Sequence, residues 1–163
     1  MAHFAEIRND NNTVLRVIVV SNEDVNNNGG ELSIQAETWV ANNHPNDESI
    51  LAELGGTYPE TYWKQTSYNN NFRNKYAGKE WVYDSSIDKF IAPKQFESWI
   101  LNSSYDWEAP FPAPTDKTYG ALFWNEELQT YVTAVLPEGE TTPEMIPQVR
   151  KRWDRDTNSF IDG

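Results

Sequence analysis

The chain has no cysteine and only two histidines, His3 and His44, which lie far apart in the sequence. A chain without cysteine forms no disulfide, holds no thiolate-bound metal and has no thiol nucleophile. It also lacks an apolar run of the roughly 20 residues that a membrane span needs. Residues 1–5 do not show the basic-then-apolar pattern of a signal peptide. We therefore expect a protein made in the cytoplasm that contacts no membrane and contains no metal or cofactor.

Basic residues are scarce, since 13 Lys and Arg stand against 25 Asp and Glu, for a net charge of −12. Only Arg150, Lys151 and Arg152 form a basic cluster. Proteins that follow a phosphate backbone need concentrated positive charge. We therefore predict that the chain binds no nucleic acid, and we interpret the three basic residues as the solvated edge of a strand.

Catalytic motifs are also missing from the sequence. It contains no glycine-rich phosphate loop, no His-Glu-x-x-His pattern and no serine flanked by glycines in an elbow. The many carboxylates could supply the pair that a glycoside hydrolase uses, but almost all of them lie in polar turn sequences. The oxygen-rich segments 9–12 and 22–24 do not match an EF-hand loop. We predict that the protein is not an enzyme, with a glycan hydrolase as the weakest alternative.

Aromatic residues are what the chain has in excess: 7 Trp, 8 Tyr and 7 Phe make up 13% of it, although hydrophobic residues reach only 38%. Each buried ring removes roughly 150–250 Å² from water, so a few rings can hold together a modest fold. A chain of 163 residues suits one domain, or one domain with an appended subdomain.

The first part of the chain, residues 1–78, is predicted to form an α+β body. Residues 7–20 predict a hairpin, because apolar β-branched runs flank a polar Asn/Asp turn. Residues 31–43 predict the main helix, and residues 49–56 a short helical turn capped by glycine. Apolar residues at helical spacing support the main helix: Leu32, Ala36, Trp39 and Val40. We expect Trp39 and Val40 to face the sheet.

The second part, residues 79–163, reads as an arm or subdomain of short hairpins linked by proline-rich segments. Residues 110–114 alternate proline with other residues and predict a stiff, extended connector. Residues 137–147 predict a second loop-like stretch. Together the two parts predict an α+β fold dominated by β-structure.

A spacing motif recurs in this second part: an aromatic residue, then Asp or Asn, five others, an aromatic and a β-branched residue. Its copies run from Tyr83-Asp84 to Phe90-Ile91, from Trp124-Asn125 to Tyr131-Val132, and from Trp153-Asp154 to Phe160-Ile161. Leu101 to Trp107 is a shorter copy, and Ile7 to Val14 an aliphatic one. Six residues between two rings fit a tight hairpin whose rings face each other across the strands. We predict that the paired rings of each aromatic copy are close neighbours.

Besides stabilising hairpins, the excess of aromatic rings suggests two functions. Some rings could anchor a partner protein, for which the candidates are Trp99, Trp107, Phe111, Trp124 and Trp153. Alternatively, exposed rings could stack on sugars, as in a carbohydrate-binding or receptor-binding tail component. Exposed, coplanar rings would argue for sugar, and rings buried against a neighbouring chain would argue for assembly.

A series of short motifs, in order, resembles small proteins encoded by tailed phages of marine bacteria, cyanophages above all. The series comprises the segments 1–5, 17–20, 63–69 (Trp-Lys-Gln-Thr-Ser-Tyr-Asn), 74–78, 83–84, 88–93 (Asp-Lys-Phe-Ile-Ala-Pro), 98–99, 107–110 and 124–127. It covers residues 1–132, and residues 136–163 depart from it. The resemblance implies a virion-associated structural protein on the capsid, neck or tail, with phage structural proteins as partners and a possible homo-oligomer. It implies no catalytic residues.

Overall fold

The computed structural model describes residues 1–135 and 148–163, which form two compact units, Met1–Pro93 and Lys94–Gly163. We call them the N-terminal and C-terminal units. Two α-helices and several small antiparallel sheets confirm the predicted α+β class dominated by β-structure. The division falls at 93/94 and not at the predicted 78/79, because the hairpin that carries Tyr83 and Phe90 packs into the core of the N-terminal unit.

The N-terminal unit is built on a three-stranded antiparallel sheet with the order β2-β1-β3. Its strands are β1 (Ala2–Arg8), β2 (Val14–Val20) and β3 (Thr61–Thr66). The predicted hairpin is confirmed, with Ile7 opposite Val14. Asn12 in its turn has a φ of 60°, a left-handed conformation that asparagine tolerates better than most residues.

Two helices follow the hairpin, α1 (Asn22–Asn27) and α2 (Ile34–Asn43). The predicted start of the main helix at residue 31 is wrong. Leu32 has a φ of 60°, and the helix begins only after Ser33, whose side chain caps it by accepting a hydrogen bond from the Ala36 N–H. Val40 is fully buried and Trp39 packs against the same cluster, so the predicted helix face is confirmed.

The predicted glycine-capped turn over residues 49–56 is also confirmed. It starts as a short 3-10 helix, Glu48–Ile50. The N–H of Gly56 donates to the carbonyl of Leu51 at 2.9 Å, and Gly56 has a φ of 89°, a conformation that glycine adopts without steric cost.

Both faces of the three-stranded sheet are covered. Side chains alternate along β1, so Phe4 joins Val40 and the helices on one face. On the other face Ile7 packs against the hairpin β4 (Val82–Asp84) and β5 (Lys89–Ile91). Phe4 and Ile7 are both fully buried. The N-terminal unit therefore has a core on each side of one sheet.

The C-terminal unit contains the hairpin β6 (Ile100–Leu101) and β7 (Trp107–Glu108) and a four-stranded sheet. The sheet has the order β11-β10-β9-β8. Its strands are β8 (Leu122–Asn125), β9 (Thr130–Val135), β10 (Gln148–Asp154) and β11 (Ser159–Asp162). The predicted loop over residues 137–147 lies outside the described residues. In the described part of the chain no helix is long and apolar enough to cross a membrane.

The paired rings of the spacing motif are close neighbours in all three aromatic copies, as predicted. The ring centroids are 5.2 Å apart in Tyr83/Phe90, 5.2 Å in Trp124/Tyr131 and 5.0 Å in Trp153/Phe160. The two residues of each pair lie directly opposite each other on adjacent antiparallel strands. The shorter copy pairs in the same way, with Leu101 opposite Trp107.

The turns of the three aromatic copies share a backbone feature two residues before the second ring. Asp88, Gln129 and Asn158 stand there with φ values of 50°, 48° and 51°. The left-handed conformation closes each turn, so that the rings face each other. Asp and Asn adopt this conformation more readily than Gln does.

Candidate functional site

Four rings lie on one face of the four-stranded sheet in the C-terminal unit. Trp124 on β8 is opposite Tyr131 on β9, and Trp153 on β10 is opposite Phe160 on β11. Lys151 is opposite Thr133, so the side chain of Trp153, two residues further, projects from the same face as Tyr131. These four rings form a band across all four strands, which we call the aromatic band.

The proline-rich segment and the residues that follow it contact the aromatic band at two places. The ring of Phe111 lies 5.4 Å from that of Trp124 and 5.8 Å from that of Tyr131, edge-to-face in both cases. Near the other end, the ring of Tyr119 lies 5.5 Å from that of Phe160. We call residues 110–119 the strap, because they contact both ends of the band.

Two cations flank the rings of the strap. The guanidinium carbon of Arg155 lies 4.3 Å from the centre of the Phe111 ring, and the Lys151 ammonium lies 5.5 Å from that of Tyr119. Such contacts are attractive because the face of an aromatic ring is electron-rich. Lys151 also pairs with Asp162 at 2.6 Å, and this hydrogen bond raises the pKa of Lys151.

A cavity of about 500 Å³ opens between the strap and the aromatic band. Residues 111–116 of the strap form one wall, and Trp153, Arg155 and Asn158 form the other. The volume lies within the range of roughly 300–1,000 Å³ typical of small-molecule sites. The cavity is therefore bounded by two aromatic side chains and a guanidinium, those of Phe111, Trp153 and Arg155.

The structure brings three of the five predicted partner-binding residues together: Phe111, Trp124 and Trp153. Phe111 contacts Trp124 directly, and Phe111 and Trp153 line the same cavity. All five, including Trp99 and Trp107, are half-buried. Rings in this condition are held in place by neighbours and still present surface to solvent.

Trp99 and Trp107 lie outside the aromatic band. Trp99 packs on Phe96 with 5.1 Å between ring centroids, and its indole N–H is buried without a hydrogen-bond partner among the described residues. Trp107, on β7, has the ammonium of Lys94 5.2 Å from its ring centre. The structure therefore places these two rings in separate local clusters.

Glu126 connects the segment of Trp99 to the band. Its carboxylate accepts hydrogen bonds from the Ser98 N–H at 2.8 Å, the Ser98 hydroxyl at 2.6 Å and the Trp124 indole N–H at 2.9 Å. These bonds lower the pKa of Glu126. A carboxylate engaged by three donors serves as a structural acceptor that fixes the orientation of the Trp124 ring.

Sequence reasoning missed two residues of this face, Tyr119 and Arg155. Arg155 lies two residues after Trp153 in the turn of the third motif copy, so the sequence could have predicted that it lies near the band. The sequence could not have predicted its contact with Phe111, because the two residues are distant in sequence. Tyr119 belongs to no motif, and no sequence signal pointed to it.

The rings of the face meet edge-to-face. The interplanar angles are 80° for Trp124/Tyr131, 72° for Trp153/Phe160 and 74° for Tyr119/Phe160. Sugar-binding platforms were expected to be exposed and coplanar. The geometry of the aromatic band therefore favours protein contacts over sugar stacking.

Within residues 1–135 and 148–163, no group of three or more His, Asp or Glu side chains is placed to hold a metal ion. That the protein is not an enzyme stays a prediction.

No protein-family model matches the chain, and comparison with curated proteins and with solved structures finds no match either. The resemblance to marine phage proteins therefore stays a prediction.

Proposed function

We propose that the protein is a non-enzymatic structural component of a tailed-phage virion, attached to the capsid, neck or tail as an accessory or decoration protein. Attachment occurs through the aromatic band and the strap of the C-terminal unit. The observation that carries the proposal is the cavity of about 500 Å³ between half-buried rings, with Arg155 at its wall.

The composition of this face is that of an anchoring surface. Trp, Tyr and Arg are the residue types that contribute most to binding at protein interfaces, and they do so where water is excluded. Trp153, Phe111 and Arg155 line one cavity, so a partner side chain that enters it contacts all three. Because packing within the unit already holds these rings, little side-chain entropy is lost on binding.

The partner is a phage structural protein that presents an apolar side chain to the cavity and a carboxylate to Arg155. Arg155 is exposed and has a guanidinium that matches a carboxylate in two-pronged geometry. Two copies of this chain offer the same surface to each other, so a homo-oligomer is the alternative outcome that the experiment must separate.

The test is retention of purified variants on particles that lack this component. We expect Phe111→Ala and Trp153→Ala each to weaken retention by about 2 kcal/mol or more, close to thirtyfold in affinity. Phe123→Ala is the matched control. Phe123 is 53% exposed and lies one residue from Trp124, on the opposite face of β8, so its variant should be retained like the wild type.

Circular dichroism must show that each variant is folded, and sedimentation must report the oligomeric state. Equal retention of all folded variants would contradict docking through this face. Self-association that Trp153→Ala abolishes, without binding to particles, would replace a phage partner with a second copy. Turnover of a glycan by the wild-type protein would overturn the non-enzymatic proposal.

A further inference from the structure

A second cluster of rings lies in the N-terminal unit, where no site was predicted. His3, Tyr68 and Tyr76 are mutual neighbours, with ring centroids between 5.3 and 5.6 Å apart. His3 stacks on Tyr68 with an interplanar angle of only 23°, yet Tyr68 is 67% exposed. The Tyr68 ring therefore packs on His3 and Tyr76 and still presents most of its surface to solvent.

A cavity of about 380 Å³ adjoins this exposed ring, and both His3 and Tyr68 line it. Its apolar surface includes Val25, which is buried, and Phe72. Its polar lining includes amide, carboxylate and hydroxyl side chains: Asn22, Asn26, Glu31, Gln65, Thr66, Ser67, Asn69 and Asn71. Polar residues therefore make up most of the lining, which suits a ligand with many hydrogen-bonding groups.

The lining defines the class of ligand. Among the residues that the structure describes, no Lys or Arg lines the cavity, so these residues offer no side-chain cation to a phosphate or a carboxylate. Each asparagine amide both donates and accepts hydrogen bonds, which suits neighbouring hydroxyl groups that do the same. An exposed aromatic ring beside these amides suits a ligand that has one apolar face and a polar rim.

We propose that this cavity binds a saccharide unit, with the exposed ring of Tyr68 as the stacking platform and the asparagines as hydrogen-bond partners. The site belongs to the N-terminal unit and does not depend on the proposed docking to particles. Tyr76 meets His3 and Tyr68 edge-to-face, but the Tyr68 ring is stacked on His3 and is 67% exposed, whereas the rings of the band are half-buried.

The charge of the groups around the Tyr68 ring is compatible with a neutral ligand. Burial, together with the positive charge of the N-terminal amino group, lowers the pKa of His3, which favours the neutral form of its imidazole. Glu31 is the one carboxylate in the lining, which leaves a cationic ligand as the competing class. A small quaternary ammonium ion would also be attracted to the tyrosine rings, and the experiment must include one.

The test is titration of the full-length protein, followed by amide chemical shifts, with three probes: maltotetraose, the tetramer of N-acetylglucosamine, and tetramethylammonium chloride. We expect at least one of the two saccharides to bind with a Kd of about 1 mM or lower, with shifts concentrated around Tyr68 and Asn69. Tyr68→Ala should weaken this binding about tenfold or more. Tyr68→Phe, which keeps the ring, should retain it.

Because Tyr68 is exposed, its variants should fold, and an unchanged amide spectrum away from the site verifies this. Phe123→Ala removes a similarly exposed ring from the C-terminal unit and should leave binding intact. The proposal is overturned if neither saccharide binds, or if Tyr68→Ala binds like the wild type. Binding of tetramethylammonium alone would overturn the saccharide class.

Discussion

The two units use their aromatic rings in different ways. In the N-terminal unit Phe4 and Phe90 are fully buried and Trp63 is 5% exposed. In the C-terminal unit, the apolar residues whose burial is described and that are buried are Ala109, Pro114 and Val132, none of them aromatic. The rings there are half-buried or exposed, and they pack on one another in pairs.

The same hairpin motif occurs in both units, so the difference lies in what covers it. The Tyr83/Phe90 pair is buried because its hairpin lies on a face of the three-stranded sheet. The Trp124/Tyr131 pair packs against Phe111 of the strap and is only half-buried. The local motif thus determines that two rings meet, and the surrounding fold determines whether they form a core or a surface.

The largest expected effect is on the N-terminal core. Phe4→Ala should lower the free energy of unfolding by about 3–5 kcal/mol, because it removes a fully buried ring and leaves a cavity. Phe123→Ala, in the C-terminal unit, should change it by less than about 0.5 kcal/mol, since that ring is 53% exposed. Urea unfolding followed by circular dichroism measures both. Equal losses would break the contrast between the units.

The next effect concerns a buried ion pair of the N-terminal unit. Glu37 on α2 pairs with Arg73 and with Lys64, each at 3.0 Å, and the Arg73 side chain is 7% exposed. Glu37→Ala should cost about 3 kcal/mol in unfolding free energy, because it leaves buried positive charge with less compensation.

The matched control for that ion pair is Glu53→Ala. It removes the exposed partner of Lys79 and should cost less than about 1 kcal/mol. If the two variants lose the same stability, the pair formed by Glu37 is no more important than a surface pair.

The smallest effect should be a gain, in a turn of the C-terminal unit. Gln129 has a φ of 48°, a conformation that costs a non-glycine residue about 1–2 kcal/mol. Gln129→Gly should stabilise the protein by about 0.5–1 kcal/mol after the extra freedom of glycine in the unfolded chain is counted. Thermal unfolding measures the shift. Leu128→Gly, whose backbone has no positive φ, should instead destabilise, and a loss in both variants would contradict the shared turn geometry.

Sequence patterns predicted the features that depend on neighbours along the chain. Hairpin pairing of Trp124 with Tyr131 follows from a fixed spacing and a turn-forming Asn125, and it was confirmed. The start of α2 was missed because Leu32 fits the helical period, while the cap at Ser33 decides where the helix begins. Apolar spacing carries no information about such a cap.

Features that join distant segments could not be predicted. The ring cluster of the N-terminal unit combines His3 with Tyr68 and Tyr76, which meet because β1 pairs with β3. That pairing leaves no periodic signal in either segment. The unit boundary was misplaced for the same reason, since only the packing of Phe90 against Ile7 and its neighbours shows where its hairpin belongs.

Hydroxyl-radical footprinting of the protein, free and bound to particles that lack it, reports whether docking covers the aromatic band. We expect oxidation of Phe111, Trp124 and Trp153 to fall on binding, since their half-exposed rings become covered. Trp63, only 5% exposed, should react weakly in both states, and Tyr68 should react equally in both. Unchanged oxidation of the three rings on bound particles, with protection at Tyr68 instead, would contradict docking through the aromatic band.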